Sequence, residues 1–316
     1  MHPDERRPSM NTPLHILIPL DGSIRATHAL SYAQTLAKPD TRITLLQIIP
    51  LEQGGAISDV LVDAYGWALP SEVERSVTVR EELTRTASEY AQRLGLEIAP
   101  RVEVEIGGDA ATVIIDTATA VGADLIIMTT RGQGGLARAI LGSVTDRVLR
   151  TSPIPVLAVR PQDEARSGEA APIAKLVVPL DGSPLAEKAL PLASDLATYL
   201  GIPVALVQAI EPFPVATLPA GIPQEVFDDI GAYTKEYLAK SSAQLTEKQV
   251  EVTASSAWGS AVDVIDSAAD PHDLIVMTSH GRGGFSRWVL GSVADKLLHT
   301  AKAPILLVPT RDQPSA

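Results

Sequence analysis

Two glycine-rich segments carry the strongest chemical signal in the sequence. Each segment follows a continuous apolar run, and each holds three closely spaced glycines, namely Gly132, Gly134 and Gly135 in the first and Gly281, Gly283 and Gly284 in the second. Glycines allow positive φ and let backbone N–H groups approach an anion without obstruction by a side chain. The composition of these segments therefore indicates phosphate binding.

A Gly-Ser pair follows each glycine-rich segment at the same distance. Nine residues separate Gly132 from Gly142-Ser143, and nine separate Gly281 from Gly291-Ser292. Each pair opens a helical pattern, where exposed N–H donors and the helix dipole favour anions. A flexible turn followed by an ordinary serine cap explains a single copy equally well. Recurrence at the same spacing favours phosphate, although a duplicated structural turn would also recur.

Asp21 and Asp181 stand in the same motif, Asp-Gly-Ser, and each follows the first apolar run of its half of the chain. A carboxylate at the end of a first strand can accept hydrogen bonds from ribose hydroxyls. A carboxylate in Asp-Gly-Ser also serves commonly as a turn or cap residue. The sequence is compatible with either role, ribose binding or a structural turn.

Other phosphate-binding and catalytic patterns are excluded or weak. Gly132 to Ala137 matches a dinucleotide fingerprint, but it follows the fourth strand rather than the first, and the second copy has Ser286 at the last position. A Walker A lysine motif is absent from the sequence. Asp146 and Asp295 lie one turn into a helix, where charged residues are usually solvated. Five basic residues border the glycine segments and could pair with a triphosphate, although exposed charges are more often solvated: Arg131, Arg138, His280, Arg282 and Arg287.

The elements that must position these residues occur twice. The chain contains "IPLDGS" and later "VPLDGS", and "DLIIMTTRGQGG" and later "DLIVMTSHGRGG", in the same order. Five apolar runs per copy predict strands at 14–20, 43–49, 101–106, 124–129 and 155–160, and at 175–180, 203–209, 250–255, 273–278 and 304–309. Because the runs are continuous and alternate with helical patterns, each copy is predicted to be a parallel sheet flanked by helices.

The repeat also sets the domain limits. We predict a tail at 1–13, a first domain at 14–160, a linker at 161–172, a second domain at 173–310 and a tail at 311–316. The linker is polar and bounded by prolines, as exposed connectors usually are. Segments 50–71 and 211–223 are predicted loops, which either overhang the site as lids or are solvated insertions.

Composition narrows the function further. The 316 residues carry a formal net charge of −12, which disfavours nucleic acid and anionic membrane surfaces as partners. The chain has no cysteine, and its six histidines show no ligand spacing, so neither thiol chemistry nor a metal site is expected. The charged N-terminal stretch is unlike a secretory signal, and no apolar run reaches membrane-spanning length. A cytoplasmic location is the simplest expectation.

Together, P-x-D-G-S at the first strand, methionine in the fourth strand and G-x9-G-S after it make the chain resemble the universal stress protein family in its tandem form. The resemblance covers nearly the whole chain. It implies an α/β fold of two flavodoxin-like, Rossmann-like domains, each with a five-stranded parallel sheet of order 3-2-1-4-5, and ATP as cofactor, with or without Mg²⁺.

The resemblance also implies which residues contact ATP, with the aspartate on ribose and the later glycines and serine on phosphates. In the first copy they are Pro19, Asp21, Ile48, Met128, Gly132, Gly142, Ser143 and Val144. In the second copy they are Pro179, Asp181, Ala209, Met277, Gly281, Gly291, Ser292 and Val293. One departure stands out: the first glycine of the family pattern G-x2-G-x9-G is Thr129 in one copy and Thr278 in the other. The added side chain puts nucleotide affinity in question.

Three functions follow from this sequence. The leading one is an adenine-nucleotide-binding signalling module that needs no reaction and no catalytic residue. The alternatives are a slow ATPase or nucleotide hydrolase, which lacks an evident general base, and a nucleotide-free scaffold of the same fold. The resemblance further implies that the fifth strands pair, either between the two domains of one chain or in a homodimer.

Overall fold

The computed structural model describes residues 13–23, 25–51, 70–106, 109–130, 141–160, 171–211, 223–279 and 290–310. The chain divides into two compact units, one formed by Asn11–Ala170 and the other containing Ala171–Ala316. In these described ranges no helix combines the length and apolar character required to cross a membrane.

The first domain is a five-stranded parallel sheet with strand order β3-β2-β1-β4-β5. In the central strand, β1, Ile16 pairs with Ile43 of β2 on one side and with Leu125 of β4 on the other. The elements are β1 (His15–Leu20), α1 (His28–Leu36), β2 (Arg42–Leu51), α2 (Pro70–Leu94), β3 (Glu97–Ile106), α3 (Ala110–Val121), β4 (Leu125–Thr129), α4 (Ser143–Thr151) and β5 (Val156–Val159).

The second domain repeats this topology, with strand order β8-β7-β6-β9-β10 and parallel pairing. Its elements are β6 (Leu176–Pro179), α5 (Pro184–Glu187), α6 (Ala189–Leu200), β7 (Val204–Ile210), α7 (Gln224–Thr246), β8 (Val252–Trp258), α8 (Ala261–Ala268), β9 (Leu274–Thr278), α9 (Ser292–Thr300) and β10 (Ile305–Val308). The predicted fold class and the order 3-2-1-4-5 are confirmed for each domain.

The cores follow from the apolar patterns. Every residue of β4, β5, β9 and β10 is buried, as expected for parallel strands covered on both faces. Helix α1 buries Ala29, Leu30, Ala33 and Leu36, and α6 buries Ala189, Leu190, Ala193, Leu196 and Ala197. Small alanines at these positions let the helix lie close to the sheet.

Three predicted strands had limits that were wrong by two residues or more, and two of them lie at the outer end of a sheet. Strand β3 begins at Glu97 rather than at residue 101, and β8 covers Val252–Trp258 rather than 250–255. The outer strands hold polar side chains, and β3 contains Pro100, so their sequences lack the apolar run that marks the inner strands. Strand β2 also extends to Leu51, and α2 begins at Pro70. The rest of the first predicted loop, and most of the second, lie outside the described residues.

Candidate functional site

The carboxyl ends of three adjacent strands bring together the first group of predicted site residues. In the first domain β2, β1 and β4 are neighbours, and the predicted residues lie at or near the ends of these strands: Pro19, Asp21, Ile48 and Met128. Met128 is buried, Pro19 and Ile48 are half-buried, and Asp21 is exposed. An apolar floor with a carboxylate at its rim lies where open α/β sheets bind ligands.

The second domain places the equivalent residues in the same way. Pro179 and Asp181 lie at the end of β6, Ala209 lies near the end of β7, and Met277 lies near the end of β9. Met277 is buried, whereas the other three are half-buried. The two domains therefore present the same set of residues at the same edge of the sheet.

The Asp-Gly-Ser motif forms a tight turn in both copies. Asp21 Oδ1 accepts hydrogen bonds from the Ser23 amide at 3.0 Å and from the Ser23 hydroxyl at 2.6 Å. Asp181 Oδ1 accepts from the Ser183 amide at 2.9 Å. The intervening Gly22 and Gly182 have φ of 78° and 81°, which favours glycine. The aspartates thus perform the structural turn role, and because an ionised carboxylate has about four acceptor positions, this role is compatible with ribose binding.

The Gly-Ser pairs begin helices α4 and α9 directly above the ends of β4 and β9. The Gly142 amide donates to the Thr130 carbonyl at 2.9 Å, and the Gly142 carbonyl accepts from the Asp146 amide at 2.8 Å. In the second copy the Gly291 amide donates to the Ser279 carbonyl at 2.8 Å, and the Gly291 carbonyl accepts at 2.8 Å. One hydrogen bond therefore fixes each helix start to the residue that follows the strand.

The conformation of these two glycines does not itself require glycine. Gly142 has φ −63° and ψ 139°, and Gly291 has φ −60° and ψ 145°, which any residue can adopt. What glycine provides at this position is the absence of a side chain at the N-cap of a helix. The backbone is thereby open to close approach by a ligand, which agrees with the predicted phosphate role.

The start of helix α4 offers donors to an anion. The amides of Ser143 and Val144 lie in the first turn, where the helix contains no acceptor for them, and the dipole is positive at this end. Ser143 and Val144 are both exposed, as is Ser292, while Val293 is half-buried. These amides and the serine hydroxyl suit the chemistry of a phosphate group, so the described residues fit the nucleotide that the sequence predicts.

Thr129 and Thr278, the residues that depart from the family pattern, are buried at the ends of β4 and β9, with 8% and 4% of their surfaces exposed. The Thr129 carbonyl accepts a hydrogen bond at 3.0 Å from the hydroxyl of Thr145, a buried residue in the first turn of α4. Thr145 is not among the predicted site residues. The only signal for it was the substitution of this threonine by Ala294 in an otherwise matching repeat.

Asp146 lies one turn into α4, where the sequence predicts a solvated carboxylate, and the structure pairs it with an arginine instead. Both of its carboxylate oxygens accept from Arg150 Nε at 2.9 Å, and Arg150 Nη2 lies 2.8 Å from Oδ1. On the same helix Arg147 Nη2 lies 2.9 Å from Oδ2 of Asp109, the residue that caps α3. These ion pairs make the charged face of α4 structural.

A tyrosine that the sequence analysis did not single out lies beside the second site. Burial and the negative charge of Glu187 raise the pKa of Tyr237 to about 12, and Asp181 shifts it in the same direction. The phenol therefore stays protonated at neutral pH. Helices α2 and α7 are equivalent, and counting back from their outer strands makes Leu83 the counterpart of Tyr237. At this position the first domain therefore has a leucine and the second has a phenol.

The glycine segments themselves lie outside the described residues, and with them Gly132, Gly281 and the basic residues Arg131, Arg138, His280, Arg282 and Arg287. In the described part of the chain, no group of three or more histidine, aspartate or glutamate side chains could hold a metal ion.

Asp124 and Asp273 immediately precede β4 and β9, at the edge of each sheet opposite to the candidate site. Asp124 Oδ2 accepts from the His15 amide at 2.9 Å. Asp273, only 2% exposed, accepts from the Asp270 amide at 2.8 Å and lies 3.3 Å from Lys175 Nζ. These carboxylates join the amino ends of neighbouring strands and take no part in the candidate site.

Known proteins are similar to this chain over most of its length. The chain is 29% identical over 309 residues to a universal stress protein of Mycolicibacterium smegmatis, covering 94% of this chain and 97% of the relative. It is 25% identical over 331 residues to a universal stress protein of Mycobacterium tuberculosis, covering 97% and 98% of the two chains.

Solved structures show the same fold. A universal stress protein from Archaeoglobus fulgidus superposes with a TM-score of 0.63 at 18% identity, covering 94% of this chain and 98% of the other. A protein from Pseudomonas aeruginosa superposes with a TM-score of 0.59 at 20% identity, covering 93% and 92%. The sequence model of the universal stress protein family matches twice, at residues 14–160 and 172–309. With both domains matched, the chain belongs to the universal stress protein family.

Proposed function

We propose that each domain binds one adenine nucleotide, with ATP as the expected ligand, and that nucleotide occupancy changes the affinity of the protein for a partner. The observation that carries this proposal is the helix that begins at a glycine and is hydrogen-bonded to the residue after β4 in the first domain and after β9 in the second. The helix start is joined to the residue after β4 or β9, and Asp21 or Asp181 lies just after the neighbouring strand β1 or β6, at the same edge of the sheet.

The chemistry of the described residues suits the parts of a nucleotide. The first-turn amides of α4 and α9 would hold phosphate oxygens, because unpaired N–H groups and the helix dipole both favour negative charge there. The carboxylate of Asp21 or Asp181 would accept hydrogen bonds from ribose hydroxyls. Half-buried apolar side chains, Ile48 in the first domain and Ala209 in the second, would contact the base.

We propose binding rather than fast hydrolysis. Asp146, the carboxylate closest in sequence to the phosphate-binding helix start, is held by Arg150. Among the described residues, the candidate site thus offers donors for phosphate without an evident general base. A cytoplasmic location is part of this proposal, since ATP is available there.

The first test is to remove the space at the helix start. Freshly purified protein is denatured and the supernatant is analysed for released nucleotide, and ATP binding to the emptied protein is then measured by calorimetry. In Gly142→Val combined with Gly291→Val, we expect loss of released nucleotide and at least a tenfold weaker affinity, about 1.4 kcal/mol. Valine can adopt the φ and ψ of these positions, so the substitution does not strain the backbone, and circular dichroism of the variant checks that the fold is retained.

A matched control separates ligand binding from a general effect of filling a glycine. Gly231 lies in α7, and an added Cβ there meets no atom within 4 Å. Gly231→Ala should bind ATP like the unmodified protein. If the double valine variant binds ATP as tightly as this control, the phosphate cradle is wrongly assigned.

A further inference from the structure

The outer strands of the two domains, β3 and β8, occupy the same place in the fold but differ in how they protect their edges. Within the described ranges each of them pairs with one other strand. Strand β3 contains Pro100 and an exposed ion pair between Arg101 Nε and Glu103 Oε1 at 2.6 Å. Proline and charge are the usual devices by which an edge strand avoids pairing with another chain.

Strand β8 has neither device. Its sequence Val-Thr-Ala-Ser-Ser-Ala-Trp contains no charge and no proline, and all of 253–258 is exposed. Trp258 is 44% exposed and packs edge-to-face on Phe227 of α7, with ring centroids 5.3 Å apart. A seven-residue, uncharged edge that ends in an exposed aromatic residue is a template for a further strand.

The hydrogen bonds to β7 identify the free side of this strand. The Val204 amide donates to the Glu251 carbonyl at 2.9 Å, and the Gly259 amide donates to the Ile210 carbonyl at 3.1 Å. Because backbone groups of a parallel strand alternate between its two sides, odd-numbered residues of β8 bond β7. The amides and carbonyls of Val252, Ala254, Ser256 and Trp258 therefore face away from the sheet.

The register of the two domains makes Pro100 the counterpart of Ala254. Ile98 pairs with Ile43 in the first domain, and Val252 pairs with Val204 at the equivalent position of the second. By the same count Arg101 corresponds to Ser255. The first domain thus lacks an outward amide at the position where the second domain presents one.

We propose that β8 pairs antiparallel with β8 of a second copy of this chain, with Ser255 on the twofold axis. This register places Ala254 opposite Ser256 and Val252 opposite Trp258, so that every outward-facing residue meets an outward-facing residue. Its centre holds only alanine and serine side chains, which allow close approach. Each end covers an exposed tryptophan with a valine.

A second copy is favoured as the occupant by charge and shape. Each chain carries a net charge of −12, so association is disfavoured wherever charged surfaces meet. The uncharged β8 edge allows two chains to pair without placing like charges opposite each other. The same seven residues supply the small side chains at the centre of this pairing and the large apolar side chains at its ends.

Disulfide cross-linking tests the register directly, because the chain has no cysteine of its own. On the axis, Ser255 faces its symmetry mate in a non-hydrogen-bonded pair, where Cα atoms lie about 4.5 Å apart and a disulfide fits. With oxidised glutathione as oxidant, we expect Ser255→Cys to form a covalent dimer. Thr253→Cys alone should not, because its mate lies about 14 Å away at four residues of offset.

A mixed experiment provides the positive control for that variant. Thr253 lies opposite Ala257 of the other copy in this register, so an equimolar mixture of Thr253→Cys and Ala257→Cys should form a heterodimer. If Ser255→Cys cross-links no more than Thr253→Cys alone, the proposed pairing is overturned. A dimer that forms through any other surface gives that same negative result.

Two substitutions copied from β3 test the pairing without any cysteine. Ala254→Pro removes one outward amide from each copy, and Ser255→Arg places two like charges opposite each other on the axis. The fold already accommodates both residues at the equivalent positions of β3. In sedimentation equilibrium we expect each variant to raise the dimer dissociation constant at least about tenfold, which for Ala254→Pro is a loss of the size expected for two hydrogen bonds.

The same substitutions decide whether the cross-link reports pairing or collision. Introducing Ala254→Pro into Ser255→Cys should lower the yield of the covalent dimer at protein concentrations near the dissociation constant. An undiminished yield would identify collisional oxidation and overturn the proposal. A wild-type protein that is monomeric at every concentration, and binds only an added peptide at β8, would equally exclude a second copy as the occupant.

Discussion

At position 15 the first domain places a histidine where the second domain has Lys175. Both lie at the amino end of the first strand, beside the aspartate that begins the neighbouring strand. The His15 Nε2 atom lies 2.9 Å from the Thr44 hydroxyl, and the side chain is buried. Burial and the positive charge of Arg42 lower the pKa of His15 below its usual value of 6.5, outweighing the attraction of Asp124.

This shift predicts that acid destabilises the first domain. Since the pKa of His15 is lower in the folded state, the unfolded state takes up the proton first as the pH falls below 6.5, and the free energy of unfolding decreases. Above that pH the histidine is neutral in both states and has no such effect. We expect His15→Gln to show a smaller loss of stability between pH 7 and pH 5, measured by urea unfolding.

His272 provides the control, because it is a histidine on the surface of the second domain. His272→Gln should retain the pH dependence of the unmodified protein. Equal pH dependence in His15→Gln and His272→Gln would show that protonation of His15 does not limit stability.

At the scale of elements, the two domains end their long helices in the same conformation with different residues. After α2, Gly95 has φ 65°, and after α7, Gln249 has φ 62°. Each residue precedes a buried aliphatic side chain, Leu96 or Val250, whose amide bonds back to the helix. The left-handed conformation is therefore required by the connection to the outer strand, whereas the glutamine is strained in it.

Exchanging these two residues should move stability in opposite directions. Gln249→Gly removes the strain of a side chain at positive φ. Because the glycine also makes the unfolded chain more flexible, which offsets part of this effect, we expect the free energy of unfolding of the second domain to rise by about 0.5–1 kcal/mol. Gly95→Gln should cost the first domain a similar amount. An added Cβ at Gly95 meets no atom within 4 Å, so the cost comes from φ alone.

Chemical unfolding of the single variants and of the double exchange measures both effects. A stabilisation by Gly95→Gln, or a destabilisation by Gln249→Gly, would contradict the strain argument.

The elements also show what a single sequence can predict. The inner strands were found because both of their faces are buried, which makes their apolar runs continuous. The limits of β3 and β8 were missed because an outer strand needs no such run. A proline fits an outer strand when its missing amide faces away from the neighbouring strand. The sequence alone does not give that direction for Pro100, because it depends on the strand pairing.

At the scale of the whole chain, duplication predicts two separate binding sites. We expect calorimetry to give two ATP molecules per chain, and one for either Gly142→Val or Gly291→Val alone. Differences between the copies, Thr145 against Ala294 and Leu83 against Tyr237, predict that the affinities of the two sites differ. The unmodified chain could instead bind one ATP, and either Gly142→Val or Gly291→Val could leave that number unchanged. This result would show that the domain carrying the silent substitution does not bind ATP.

The repeated motifs could predict this pair of sites but not their surroundings. The strand ends and helix starts follow from sequence because Asp-Gly-Ser and Gly-Ser recur at fixed positions. The ion pair of Asp146 with Arg150 follows from their i,i+4 spacing in a helix, but the hydroxyl contact of Thr145 and the phenol of Tyr237 depend on contacts between residues far apart in the chain. Periodicity contains no information about these long-range contacts.

The hydrogen bond from Gly142 to the residue after β4 has an evolutionary consequence. It joins the two residues that flank an eleven-residue segment, Thr130 and Gly142, and the bond between Ser279 and Gly291 does the same in the other repeat. Mutations between such joined ends can accumulate while the strand and the helix start keep their geometry. The same hydrogen bond occurs in both repeats, so a substitution within one of these segments leaves the joined ends of the other in place.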